Sequence, residues 1–233
     1  MPHNLFGAIG YLAIFLPFVL LIVGQAIDAP YLAAAIIFGV GPLSRPLLGN
    51  VSQELVEWDE RTATFLDRLP VVYAAAFPLL LGWVLSSLGA HPPSRMLSWI
   101  WLGLSLWTCM FFAVVVAHEL IHQGGHRRRI GWLLAGAAGY PLLAHEHLPH
   151  HSTSGNVDLA EWPRRDESVW GFAARRTVRV IRSAAEHNAI LAARRGRGAV
   201  HGGLPEALAA TAVVSLAFAW VAGLPGLALY LCV

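Results

Sequence analysis

The chain has 233 residues, of which 56% are hydrophobic and 13% charged, with a formal net charge of +2. Soluble domains carry about 25% charged residues, so an ordinary soluble enzyme is disfavoured, and a disordered chain, which would be poor in apolar residues, is excluded. Two cysteines, Cys109 and Cys232, exclude a disulfide-rich secreted domain, and so small a net charge argues against a nucleic-acid partner.

With a mean hydropathy of +0.57, the chain reads as one multi-span membrane domain. A helix needs about 20 apolar residues to cross a bilayer. Residues 5–25 supply the first such stretch. They lack a basic lead-in and a small-residue cleavage pattern, so they read as a span and not a signal peptide. Residues 27–30 form a turn. A second span is expected over residues 31–48, with Arg45 near its end able to snorkel. Residues 50–68 are polar, with five acids and two arginines. Spans are expected again over 71–88 and 96–117, separated by a turn at 89–93. A further span covers 208–222, and Gly223-Leu224-Pro225-Gly226 reads as a turn after it.

All 16 basic residues are arginine, and twelve lie between Arg127 and Arg197. The positive-inside rule places that segment and residues 50–68 in the cytoplasm. The expected fold is all-α: a polytopic helical bundle in the cell inner (cytoplasmic) membrane. Residues 130–144 are apolar but short, and Gly131, Gly136, Gly139 and Pro141 interrupt them. A full crossing would put the histidines before and after them on opposite faces. They therefore read as a re-entrant or interfacial helix that returns to the cytoplasmic side.

Seven of the 11 histidines fall between His118 and His151. The first group is His118-Glu119-Leu120-Ile121-His122. Positions i and i+4 share a helix face, so both imidazoles can reach a common metal. The second group is Glu146-His147-Leu148-Pro149-His150-His151, preceded by His145. Ionisable groups at membrane depth are expensive and mark function, and imidazole-rich sites suit iron, zinc or copper. His118, His122, His147, His150 and His151 are the candidate metal ligands. His145 is a candidate partner behind a ligand. Glu119 and Glu146 each adjoin a ligand and can bond it or pair with arginine. His126, His187 and His201 read as solvated.

This arrangement resembles the membrane-bound fatty acid desaturase and hydroxylase superfamily. The likeness is closest to its bacterial branch of alkane 1-monooxygenases and xylene monooxygenases. It rests on the two histidine boxes and on Trp162-Pro163-Arg164-Arg165-Asp166-Glu167-Ser168-Val169-Trp170, which is similar to the family's linker. The second box has two residues between His147 and the His150-His151 pair, as in many desaturases. The resemblance implies a non-haem di-iron centre that uses dioxygen to hydroxylate or desaturate alkyl or acyl chains. It also implies a further histidine box beyond residue 208, which these residues lack. The chain breaks off seven residues into an apolar segment at 227–233, so it is expected to be incomplete at the C-terminus, and activity of these 233 residues alone is in question.

Two isolated cysteines cannot hold an iron–sulfur centre, and no Gly-rich dinucleotide fingerprint follows a strand. An external electron donor is therefore implied: a rubredoxin, a ferredoxin or another reductase. The arginines at 164–197 can dock such an acidic carrier or contact anionic lipid. The alternatives are a zinc intramembrane metalloprotease built on the HExxH pattern, and an inactive remnant of the oxygenase.

Overall fold

A computed structural model describes residues 8–48, 57–194 and 203–233. Regular structure among them is entirely helical. Among the described residues, four helices are long and apolar enough to cross a membrane: Ile9–Ala26, Glu60–Ala90, Met96–His122 and Leu204–Cys232. The chain divides into two compact units, Met1–Val116 with Ser215–Val233, and Ala117–Val214. Residues 50–56 and His201 lie outside the described residues, as does the side chain of Arg45.

In the first unit, helix Ile9–Ala26 ends where Ala29 N–H bonds the Gly24 carbonyl at 2.7 Å. A Cβ at Gly24 would lie 2.6 Å from the Ala29 oxygen, so this reversal needs glycine. Asp28 takes the left-handed conformation at φ 56°, which makes the turn expected at 27–30. Over the second expected span the chain is helical from Leu32 to Leu48, and it widens into a π-helix over Ala35–Val40. Pro42 and Pro46 each lack an N–H for the helical ladder, yet the helix runs on to Leu48. Helix Glu60–Ala90 starts eleven residues before the apolar stretch that announced it. Asp59 caps it, accepting from Thr62 N at 2.9 Å and from Thr62 Oγ1 at 2.9 Å. The core gathers Phe18, Tyr73 and Phe77, with the Phe18 and Tyr73 centroids 4.7 Å apart. The Tyr73 hydroxyl donates to the Cys109 carbonyl at 3.3 Å.

The last helix is broken at Ala222 and at Gly223, whose φ is +61°. Phe218 and Tyr230 stack with centroids 5.4 Å apart. Twelve residues of straight helix would separate them by about 18 Å, so the chain reverses there. The turn expected at 223–226 is thus present.

The second unit starts inside helix Met96–His122. That helix stops at Gln123, and Gly125, with φ +61°, turns the chain back into helix Gly125–Ala137. Arg128 Nε donates to the carbonyls of Ile121 at 3.0 Å and Gln123 at 3.2 Å. It thereby satisfies acceptors that the helix end leaves open. Helix Gly125–Ala137 closes with a Schellman turn: Tyr140 N–H bonds Ala135 O at 2.8 Å, Gly139 N–H bonds Gly136 O at 3.1 Å, and Gly139 has φ +81°. Helix Leu143–Thr153 follows, then a linker, then helix Val169–Arg194. The start of helix Leu204–Cys232 packs on Gly125–Ala137. A Cβ at Gly136 would lie 2.1 Å from the Ala207 carbonyl oxygen, and Thr211 Oγ1 donates to Gly136 O at 2.7 Å.

The linker is fastened by Glu167. Its carboxylate accepts from Arg175 Nε at 2.9 Å and Nη2 at 2.6 Å, and from Arg164 N–H at 2.8 Å. The Arg175 bonds, followed by the Arg164 amide, hold its pKa at about 2, against an ordinary 4.5. A carboxyl with a lowered pKa adds stability above its unfolded value, and that stability is lost as pH falls through the folded value. Amide hydrogen-exchange protection over residues 157–168 should therefore drop between pH 4.5 and 2. Glu167→Gln should lower it already at neutral pH and remove the acid step.

Candidate metal centre

Helix Met96–His122 carries His118 and His122 four residues apart. Helix Leu143–Thr153 carries His147 and His151 with the same spacing. Each pair therefore shares one helix face, and the reversal at Gly124–Gly125 brings the two faces together. The four Nε2 atoms converge. His147 sits at the hub, 2.7 Å from His118, 3.1 Å from His122 and 2.8 Å from His151. His122 is 3.3 Å from both His118 and His151. All four nitrogens lie within 4.8 Å of one another. Residues 130–144 therefore return the chain to the place it left.

The donor set fits a metal. With metal–nitrogen bonds of about 2.1 Å, neighbouring nitrogens are about 3.0 Å apart in an octahedron and about 3.4 Å apart in a tetrahedron. Five of the six separations are 2.7–3.3 Å, so one ion could reach all four nitrogens. Burial, then the imidazoles of His118, His151 and His122, lower the pKa of His147 to about 4. Its lone pair is thus free of a proton at neutral pH, as ligation requires.

His150, the fifth candidate, stands apart from the four. Its Nδ1 is tied to Glu161, and its ring centroid is 6.0 Å from that of His147 and 6.2 Å from that of His151. His145 is fully buried, with its ring 5.8 Å from Trp132 and 5.6 Å from His187. His187 is therefore not the solvated residue expected: it packs inside the unit and bonds the His145 backbone. Pro149 explains why that backbone is open to it, since proline cannot donate to the carbonyl four residues earlier. His126 is exposed, as expected.

The two glutamates of the boxes behave differently. Glu119 accepts from Gln123 Nε2 at 3.2 Å on the exposed side of its helix. Glu146 is buried and pairs with arginine: Arg176 Nη2 lies 2.5 Å from it, and the Tyr140 hydroxyl donates to it at 3.1 Å. Burial raises its pKa, against the pull of Arg176 and Tyr140. Arg176 Nη1 also reaches Glu161 at 2.7 Å. Burial pushes Glu161 up, but its hydrogen bonds to His150 and Arg176 together hold it below the ordinary carboxylate value.

No family model matches the chain, and no curated protein does either. Tyr140, Glu161 and Arg176 are parts of the site that reading the sequence missed. Glu161 lies one residue before the linker stretch that attracted notice, and an acid inside an arginine-rich segment was the available signal. Arg175 and Arg176 face carboxylates of their own unit, so neither is spare for docking an acidic carrier. Cys109 and Cys232 are both free thiols.

Proposed function

We propose that the chain is a membrane-embedded non-haem iron oxygenase of the histidine-box type. On this reading it inserts oxygen into, or removes hydrogen from, the alkyl or acyl chain of a lipid or alkane. The observation that supports it is the convergence of four imidazole nitrogens from two i,i+4 pairs, at the end of an apolar helix. Iron held there would supply dioxygen activation for attack on an unactivated C–H bond. The chain's own residues hold the metal through His118, His122, His147 and His151, of which His122 and His151 are exposed. Hydroxylation balances as one C–H bond and one dioxygen, with two electrons and two protons, giving an alcohol and water. Desaturation uses the same oxidant and electrons and gives an alkene and two waters. The electrons come from an external rubredoxin, ferredoxin or other reductase. The arginine distribution favours a multi-pass protein of the inner membrane with the histidines on the cytoplasmic side.

Coordination number argues against the zinc protease. Zinc sites are almost always four-coordinate, and catalytic ones keep a position for water. Four imidazoles would fill that shell, whereas a six-coordinate metal keeps two positions. The test is to purify the chain in detergent, measure iron and zinc, and assay oxygen-dependent alcohol or alkene formation from alkanes and acyl lipids with a reductase present. Iron with oxygen-dependent product is expected. One tightly held zinc with no oxygen consumption would sink the reading.

A further inference from the structure

Helix Leu143–Thr153 presents two adjoining faces. His147 and His151 occupy one. Glu146 and His150, each one residue earlier, occupy the other, about 100° around the helix. This second face is clamped from outside by one side chain. Arg176, on helix Val169–Arg194, reaches Glu146 with Nη2 at 2.5 Å and Glu161 with Nη1 at 2.7 Å. Glu161, whose side chain is 5% exposed, in turn holds His150 at Nδ1. Tyr140 completes the set by donating to Glu146. The helix needs such a clamp, because Pro149 removes one of its backbone hydrogen bonds between the two ligands.

We infer that Arg176 is the positioning residue of the second histidine box: through Glu146, and through Glu161 and His150, it fixes the residue immediately before each of the ligands His147 and His151. The planar fork of arginine suits the task, since it binds two carboxylates through separate nitrogens, which a lysine ammonium does less well. Without it, two carboxylates would face each other with no cation between them, and the helix would rotate or shift to separate them. The ligand nitrogens would move with it. The inference rests on the metal centre proposed above, but not on which reaction that centre performs.

Cobalt(II) is the probe, because its visible absorption reports coordination geometry as well as occupancy. The full chain in detergent micelles is titrated with cobalt as wild type, Arg176→Gln, Arg176→Lys, Glu161→Gln and Arg175→Gln. Arg175→Gln is the control: it removes a comparable bridge to Glu167 from the neighbouring position of the same helix. Arg176→Gln should weaken cobalt binding about 10–100-fold, the range for losing a partner behind a ligand, and alter the spectrum. Arg176→Lys should recover part of the affinity. Glu161→Gln keeps the shape of the side chain, so it should fold even if Arg176→Gln does not, and it should alter the spectrum through His150. Arg175→Gln should lower the unfolding temperature and leave affinity and spectrum as in wild type. Equal effects of Arg175→Gln and Arg176→Gln, or an unchanged spectrum in both Arg176→Gln and Glu161→Gln, would overturn the inference. A wild-type chain that takes up no cobalt would instead remove the metal centre itself, and the inference with it.

Discussion

Replacing His147 by alanine is expected to abolish metal binding, and this is the largest single effect the site should show. The other three Nε2 atoms lie 2.7–3.1 Å from that of His147. Removing it leaves His118 and His122 on one helix and only His151 on the other. Its loss should cost more than the 10–100-fold typical of residues behind a ligand. His150→Ala separates this site from a general histidine effect. That ring lies outside the four-nitrogen cluster, so the variant should retain metal and shift only the spectrum. Equilibrium dialysis against iron(II) or cobalt(II), with circular dichroism to confirm helix content, checks both. Equal metal loss in the two variants would mean that His150 belongs to the same coordination sphere.

Gly136→Leu is expected to destabilise the second unit by about 3 kcal/mol, at the upper end of the usual overpacking cost. The reason is that the obstacle is backbone. A Cβ at Gly136 would meet the Ala207 oxygen at 2.1 Å, its carbonyl carbon at 2.8 Å and its Cα at 2.9 Å. No rotamer change can relieve that, so the helices would have to separate and release the Thr211 hydrogen bond to Gly136 O. Close approach through small residues is how helices pack in an apolar solvent. Gly10 makes a useful contrast, because a Cβ there meets nothing within 4 Å. Gly10→Ala should leave the unfolding temperature within experimental scatter, while Gly136→Leu lowers it sharply. Thermal unfolding in detergent, read by circular dichroism, measures both.

The parts of this molecule that were legible in its sequence are those governed by local pattern. Uncharged apolar runs announced all four of the long helices. Glycine and proline marked the turns at 27–30 and 223–226, and four-residue spacing put His118 with His122. Glycine interruptions also set residues 130–144 apart from the long apolar helices. The misses have a different physical origin. The π-helical widening at Ala35–Val40 has no signature in a hydropathy window. The early start of helix Glu60–Ala90 depends on the Asp59 cap, which a hydropathy window does not see. The clamp of Tyr140, Glu146, Glu161 and Arg176 joins residues up to 36 positions apart, and no local spacing encodes such a set. His147 and His151 were named with His150 because adjacency in sequence says nothing about which face of a helix each ring takes.

The reversal at Gly124–Gly125 has a further consequence for the chain as a polymer. His122 and His147 are 25 residues apart, so a metal bound to both works as a covalent cross-link would, closing a ring through residues 123–146. Closing a ring of that size removes about 3–4 kcal/mol of unfolded-chain entropy on the disulfide scale. Without metal, the ring is held by the Arg128 cap, the Schellman turn at Gly139 and the contacts of Gly131 with the preceding helix. Metal uptake and the rigidity of this one segment are therefore two readings of a single equilibrium, and whatever loosens the ring also lowers the grip on the ion.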